Sequence, residues 1–177
     1  MGGRWFAFLR AINTGNRRLT NEQLLEPFHD LGFNDVSAYQ AAGNVTFRAP
    51  GEVDDGVIET ALAKAYGFET PTFVRSAAEV TVVAAARPFS DGELAGTAGK
   101  VQVAFLRREP TPEELTGLGE LVPDEDRVRV IGREWYWLPV EGISASALPV
   151  VKIERVLGEM TIRTLGTVQR ISNKFDD

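Results

Sequence analysis

The stretch VSAYQAAGNVTFR, residues 36–48, decides how the chain is read. Two short segments, Val36 to Gln40 and Val45 to Arg48, flank Ala41-Ala42-Gly43-Asn44, and glycine and asparagine are the residues that tolerate the backbone of a tight turn. The pattern predicts two antiparallel strands joined directly to one another.

Working outward from that hairpin, Trp5 to Ile12 is short, apolar and rich in aromatic residues, as suits a strand buried on both faces. Thr20 with Gln23 three residues later makes a capping box, and Leu24, Leu25, Phe28 and Leu31 then recur at helical spacing up to Gly32. Pro27 lies inside that helix, where its missing N–H should kink it or delay its start. On the other side of the hairpin, a helix from about Val53 to Tyr66 closes at Gly67, and Thr72 to Arg75 reads as a fourth strand. The order is β-α-β-β-α-β, the split pattern of a ferredoxin-like unit.

The order then repeats. After a helix near Ala77 to Ala86 and a loop holding Gly92, Gly96 and Gly99, Val101 to Leu106 is a strand and Thr111-Pro112-Glu113-Glu114 opens a helix with proline at its first position. Arg127 to Ile131 and Glu134 to Leu138 form a hairpin around Gly132-Arg133, a helix from about Leu148 stops at Gly158, and Met160 to Arg163 closes the series as a strand. The expected fold class is therefore α+β, with two tandem ferredoxin-like units and antiparallel sheets. The first unit would span 1–76, a connecting helix and glycine-containing loop 77–99, and a second unit with a C-terminal helix 100–177.

At 177 residues, 44% of them hydrophobic and 25% charged, the chain has the composition of a soluble globular protein. A net charge of -6 argues against coating nucleic acid by charge alone. Arg4, Arg10, Arg17, Arg18 and Arg48 against Glu22, Glu26, Asp30 and Asp35 make residues 1–49 weakly basic, so the acidity sits in the remainder. There is no cysteine, which removes disulfides, thiol nucleophiles and cysteine metal sites. Nothing approaches the roughly 20 apolar residues of a membrane span, and no signal-peptide pattern follows the first apolar run. A cytoplasmic location is the expectation.

The topology brings distant residues together. In a ferredoxin-like sheet the first strand lies antiparallel beside the third, so its end meets the beginning of strand three. Arg10 to Asn13 should therefore sit beside Gly43 and Asn44, with Tyr39 and the start of the first helix at the same edge. That edge is the expected location of a ligand: Arg10 and Arg17 for charge, Asn13 and Asn44 for hydrogen bonds, Gly15 for close backbone approach and Tyr39 as a wall. The ligand class would be a small anion such as a nucleotide or phosphorylated metabolite. The competing reading is that Asn13 and Asn44 only hydrogen-bond the loop and hairpin backbones and hold the edge in shape.

These residues carry a resemblance. FLRAINTGNRRL followed by LGFNDVSAYQAAGNVTF is similar to the opening signature of the bacterial family known as domain of unknown function 1697, through Leu9, Arg10, Ile12, Asn13, Gly15, Leu31, Gly32, Phe33, Tyr39, Gly43, Asn44, Val45 and Phe47. Ala11 and Asn16 stand where that signature has glycine, and Ala42 where it has serine. Towards the C-terminus, Gly142-Ile143-Ser144-Ala145 lacks the two basic residues of the family pattern, and Thr161 to Val168 departs from a threonine-x-arginine-asparagine-tryptophan motif. The resemblance implies a fold and no activity.

Other chemistries find less support. His29, the only histidine, borders the apolar stripe of the first helix with no partner identifiable in sequence, and zinc would need ligands the chain lacks. No metal site or cofactor is expected, and carboxylate-only magnesium or calcium binding is all that stays open. Asp124-Glu125-Asp126 lacks the spacing of a calcium loop and reads as solvated surface. RNA recognition, which this topology can support, would need Phe6, Phe8 and Phe47 to offer stacking faces. A third reading is a non-enzymatic interaction or assembly module, with Trp135, Tyr136 and Trp137 split between two faces of a strand, either at an interface or in ordinary core. The sequence leaves the oligomeric state undecided, a homodimer included, and leans away from an enzyme.

Overall fold

A computed structural model describes residues 2–12, 18–40 and 43–175. The chain divides into two units, Met1–Thr81 with Phe175–Asp177, and Val82–Lys174. Among the described residues there are two four-stranded antiparallel sheets and seven helices.

In the first unit, β1 (Gly3–Leu9), α1 (Asn21–Asp30), β2 (Asn34–Ala38), β3 (Asn44–Ala49), α2 (Asp55–Tyr66) and β4 (Thr72–Ser76) follow in order, and α3 (Ala77–Ala85) runs across the boundary between units. The sheet order is β2-β3-β1-β4. The hairpin read from residues 36–48 is present, with its first strand starting two residues earlier than the valine pattern suggests.

Side chains alternate as a pleated strand requires. Ala7, Leu9, Val45, Phe47, Ala49 and Val74 pack with Leu24, Phe28, Ile58 and Leu62 of the helices. Phe47 is central to this core, stacked on Phe33 with ring centroids 4.4 Å apart and tilted against Phe28 at 5.5 Å. The opposite face carries Phe6, Phe8, Phe73 and Arg75, all buried as well, which is why Trp5 to Leu9 is apolar on both faces of the strand. Phe47 therefore lies on the other side of the sheet from Phe6 and Phe8, and the three cannot form one stacking surface.

α1 begins at Asn21 directly after its Thr20 cap, so Pro27 does not delay its start. Both arms of the predicted capping box are made: the Gln23 N–H donates to Thr20 Oγ1 at 3.2 Å, and the Thr20 N–H to Gln23 Oε1 at 3.0 Å. α2 ends as expected on Gly67, whose φ of 72° lies in the left-handed region that glycine adopts without cost.

Both edges of this sheet are blunted. The register of β2 shifts between Asn34 and Ser37, around Asp35 at φ 48°, so the outer strand carries a bulge. On β4, the N–H groups of Thr72, Val74 and Ser76 donate to the carboxylates of Glu59, Asp55 and Glu79 at 2.7, 2.9 and 2.8 Å. An edge whose donors are taken in this way offers little to an incoming strand.

The second unit contains α4 (Asp91–Ala95), β5 (Gln102–Leu106), α5 (Pro112–Leu121), β6 (Arg127–Ile131), β7 (Glu134–Leu138), α6 (Val150–Leu157), β8 (Met160–Thr164) and α7 (Leu165–Lys174), with sheet order β6-β7-β5-β8. The segment expected as a glycine-containing loop holds a short helix, α4. Its signal is local: Ser90 and Glu93 form a capping box that Gly92 within it and Gly96 after the helix obscure. The core of this unit gathers Ala104, Leu106, Leu118, Trp135, Trp137, Ile153, Leu157 and Met160. Trp135 and Trp137 lie on the helix side with rings nearly parallel at 3° and centroids 6.3 Å apart, while Tyr136 points to the other face. All three are buried. Among the described residues, no helix is long and apolar enough to cross a membrane.

Candidate functional site

The edge at the end of β1 is assembled mostly by backbone. The Leu9 N–H donates to the Gly43 carbonyl at 2.7 Å, and the next amide, of Arg10, donates to the Pro71 carbonyl at 2.8 Å. Phe8 pairs with Asn44, and the Tyr39 N–H donates to the Asn44 carbonyl at 2.8 Å. Residues 9–12, 39–40, 43–44 and 70–72 are thereby gathered at one end of one sheet, as strand order requires.

Gly43 is held by both its backbone angle and its close neighbours. Its φ is 70°, and a Cβ there would lie 3.1 Å from the Leu9 carbonyl oxygen and 3.2 Å from the Ile12 Cβ. Asn44 is 2% exposed, and its Nδ2 donates to the Tyr39 carbonyl at 3.1 Å, closing the hairpin from within. Its amide thus performs the structural task that the sequence allowed as the competing reading. Arg10 and Tyr39 are half-buried. Asn13, Gly15 and Arg17 lie outside the described residues.

Two residues on this edge have unusual backbones. Ala11 has φ 56° and Gln40 has φ 55°, and with Asp35 they are the non-glycine residues in the left-handed region among those described. Each costs about 1 kcal/mol or more to hold there. Ala11 is the position where the family signature has glycine, so the backbone geometry accounts for that preference.

The remaining sequence candidates fall elsewhere. His29 is exposed in the last turn of α1. Among the described residues, no group of three histidine, cysteine or carboxylate side chains is placed to hold a metal ion. Asp126 corrects the expectation of a solvated acidic turn, since only Asp124 and Glu125 are exposed. The Asp126 carboxylate is 6% exposed and accepts from the Trp137 indole N–H at 3.0 Å and from the Ser146 hydroxyl.

A repeated feature had escaped the sequence reading. β4 and β8 each place an arginine after a core aliphatic residue, Val74-Arg75 and Ile162-Arg163, opposite Phe6 and Val103 of the central strands. The next residue caps the following helix in both cases: the Glu79 N–H donates to Ser76 Oγ, and the Thr167 N–H to Thr164 Oγ1. Arg75 is fully buried and donates to its neighbour's carbonyl at 2.9 Å. Arg163 donates to Thr161 Oγ1 and the Ile162 carbonyl, and burial lowers its guanidinium to about 10, which leaves it protonated at neutral pH. The signal was available as aliphatic-Arg-Ser/Thr before a helix.

Strand order, the gathered edge and this repeat define an α+β protein of two similarly ordered units. The chain belongs to the family described as protein of unknown function (DUF1697), whose model matches residues 3–136. The match ends within β7, ahead of both C-terminal stretches where the sequence departs from the family pattern. Among solved structures, the chain is similar to the conserved bacterial protein SP0830 from Streptococcus pneumoniae, with a TM-score of 0.73 at 16% identity over 100% of each chain. That likeness concerns the fold. No curated protein matches the chain.

Proposed function

We propose that the edge formed by Arg10, Tyr39, Gly43 and Asn44, with Asn13, Gly15 and Arg17 of the adjoining segment, binds a small anionic ligand such as a nucleotide or phosphorylated metabolite. The protein that carries it is, in the same reading, a tandem of two ferredoxin-like units. The observation behind the proposal is the pair of strained residues, Ala11 and Gln40, each adjoining one of the two half-exposed side chains, Arg10 and Tyr39. Strain of this kind persists where surrounding structure enforces it, and it concentrates at binding sites.

Arg10 supplies charge and Tyr39 a flat wall. Gly43 fixes the separation of the two loops, and Asn44 holds the hairpin so that Tyr39 keeps its place. One amide of the α1 N-terminus, that of Gln23, is already taken by Thr20, so the arginines bear more of the anion than the helix does. RNA fits less well because the rings of Phe6, Phe8 and Phe47 are buried and have no face to offer a base.

The test is thermal shift against pyrophosphate, ATP and a panel of sugar phosphates. A ligand at about a hundred times its Kd stabilises by about 2.7 kcal/mol, or roughly 5–10 °C for a chain of this size. Arg10→Ala should abolish the shift, measured from that variant's own unliganded melting temperature. Asn44→Ala is the wrong probe, since it opens the hairpin. A shift that survives both Arg10→Ala and Asn13→Ala would move the ligand elsewhere, and no shift from any anion would remove the proposal.

A further inference from the structure

A second surface lies on the outer side of the helices of the first unit. An open-sided groove of about 940 Å³ runs between α1 and α2. Its apolar lining comes from Pro27 on α1, Leu31 just after it, and Val57, Ala61 and Ala65 on α2.

α2 is apolar on more than one face. Ile58 and Leu62 enter the core, and Asp55 and Glu59 are held by the β4 backbone on one flank. Val57, Ala61 and Ala65 belong to neither, and Val57 is 50% exposed. A surface helix normally keeps one apolar stripe and a polar remainder, so a second apolar line on a solvated face marks an interaction surface. The small side chains at 61 and 65 keep the groove open.

The rim is acidic. Glu26 and Asp30 stand one helical turn apart on α1, and Asp54 stands at the start of α2 against the single cation Lys64. Neither Glu26 nor Asp30 forms an ion pair among the described residues. Like charges at this spacing on one helix face weaken the helix, and cations of a bound partner would offset that cost.

We infer that this groove docks a basic amphipathic helix from a partner protein. Small-molecule sites enclose their ligand and converge a few polar groups on it. Here the lining combines an apolar set, Pro27, Leu31, Val57, Ala61 and Ala65, with three carboxylates against one lysine, so a fitting occupant brings a ridge of apolar side chains with cations beside it. That is the helix-in-groove mode of recognition. α1 and α2, at 10 and 12 residues, offer a seat for about three turns of such a helix. The inference is independent of the anion site.

The experiment titrates the whole protein with two labelled peptides of about 14 residues, one patterned in leucine and lysine and one identical with glutamate for lysine. The lysine peptide should bind at least about tenfold more tightly than the glutamate peptide, and less tightly as salt rises. Ala65→Arg, at an exposed helix position, should weaken the lysine peptide at least about tenfold with an unchanged melting temperature. Val57→Arg gives the same reading should the first variant fold poorly, and Glu26→Gln with Asp30→Asn should remove most of the preference for lysine. Equal binding of the two peptides, no binding of either, or binding that ignores both arginine variants would overturn the inference. So would self-association of the protein that Ala65→Arg abolishes, which would make a second copy the occupant.

Discussion

The Tyr66 hydroxyl lies 3.2 Å from the Gln23 carbonyl, the acceptor in α1 that Pro27 cannot serve. In a regular helix the amide at position 27 would donate to that carbonyl, and proline has no N–H. Tyr66, at the end of α2, supplies the missing donor and is shared with the Leu24 carbonyl at 3.2 Å. A proline inside a ten-residue helix is thereby tolerated, and the two helices that flank the apolar groove are tied together.

Tyr66→Phe should destabilise the protein by about 1 kcal/mol, the net worth of such a bond, and lower the melting temperature by roughly 2–4 °C. Pro27→Ala restores the amide, so the same tyrosine substitution should cost less in that background. A double-mutant cycle measures the difference. Additive effects would mean that the hydroxyl does not stand in for the proline.

Tyrosine ionisation gives an alkaline signature. Burial, and secondarily Glu26, raises Tyr66 well above its ordinary value near 10, and burial with Glu134 does the same for Tyr136. An unfolded chain would ionise both near pH 10, whereas the folded chain does not. The stability this contributes is fully present below pH 10 and is lost as pH rises beyond it. Tyrosinate absorbance should therefore show two of the three tyrosines ionising only as the chain unfolds. Gradual ionisation of all three with secondary structure intact would contradict the burial of these two.

An acid-side signature lies at the start of α5. Hydrogen bonds from the Arg108 guanidinium, at 2.6 and 2.8 Å, and then from the Thr111 amide hold the Glu114 carboxyl at about 2. A depressed carboxyl contributes stability above its ordinary value near 4.5 and loses it as pH falls towards 2. The pair is exposed, so salt should weaken it. NMR titration should show the Glu114 midpoint rising towards the ordinary range in Arg108→Ala, but not reaching it while the Thr111 amide remains. A midpoint unmoved by that substitution would leave the guanidinium with no part in it.

What sequence reveals follows the range of the interaction. Thr20 with Gln23 and Thr111 with Glu114 are capping boxes because three residues separate cap from partner, and both are legible in a line of text. The 36–48 hairpin is legible for the same reason, and strand order then implies that the end of β1 meets Gly43 and Asn44, although the residues that do so are Phe8 and Leu9 rather than Arg10, whose amide turns to Pro71, just ahead of the other neighbouring strand. Tyr66 and Gln23 stand 43 residues apart, and nothing local marks the tyrosine as a donor to another helix. The candidate site divides in the same way: Gly43 and Asn44 announce a turn, but only the fold shows that Asn44 turns inward while Tyr39 stays half-exposed.

Ala11 tests the edge directly. With φ at 56°, its methyl group meets the steric cost of the left-handed region, while glycine would lose more entropy on folding. Ala11→Gly should range from neutral to about 1 kcal/mol more stable, and Ala11→Val should lose about 1–2 kcal/mol because a β-branched residue fits that region worst. Urea midpoints of the two variants give the comparison. A valine variant as stable as the parent would show that residue 11 is not held in the left-handed conformation.

Asp126 shows how an acidic turn residue becomes structural. Its carboxylate joins the indole of Trp137 on β7 to Ser146, whose Oγ in turn accepts the Leu148 N–H at 3.0 Å, so one buried group fixes the segment leading into α6. The neighbouring Trp135 indole N–H is buried without an acceptor, so the two stacked tryptophans differ in what anchors them. Asp126→Ala leaves the Trp137 indole and the Ser146 hydroxyl without their acceptor and should cost about 1–3 kcal/mol. Asp124→Ala, at an exposed position in the same turn, should stay within about 0.5 kcal/mol of the parent. Chemical denaturation followed by tryptophan fluorescence measures both variants, and equal effects would return Asp126 to the solvated surface that its sequence context suggested.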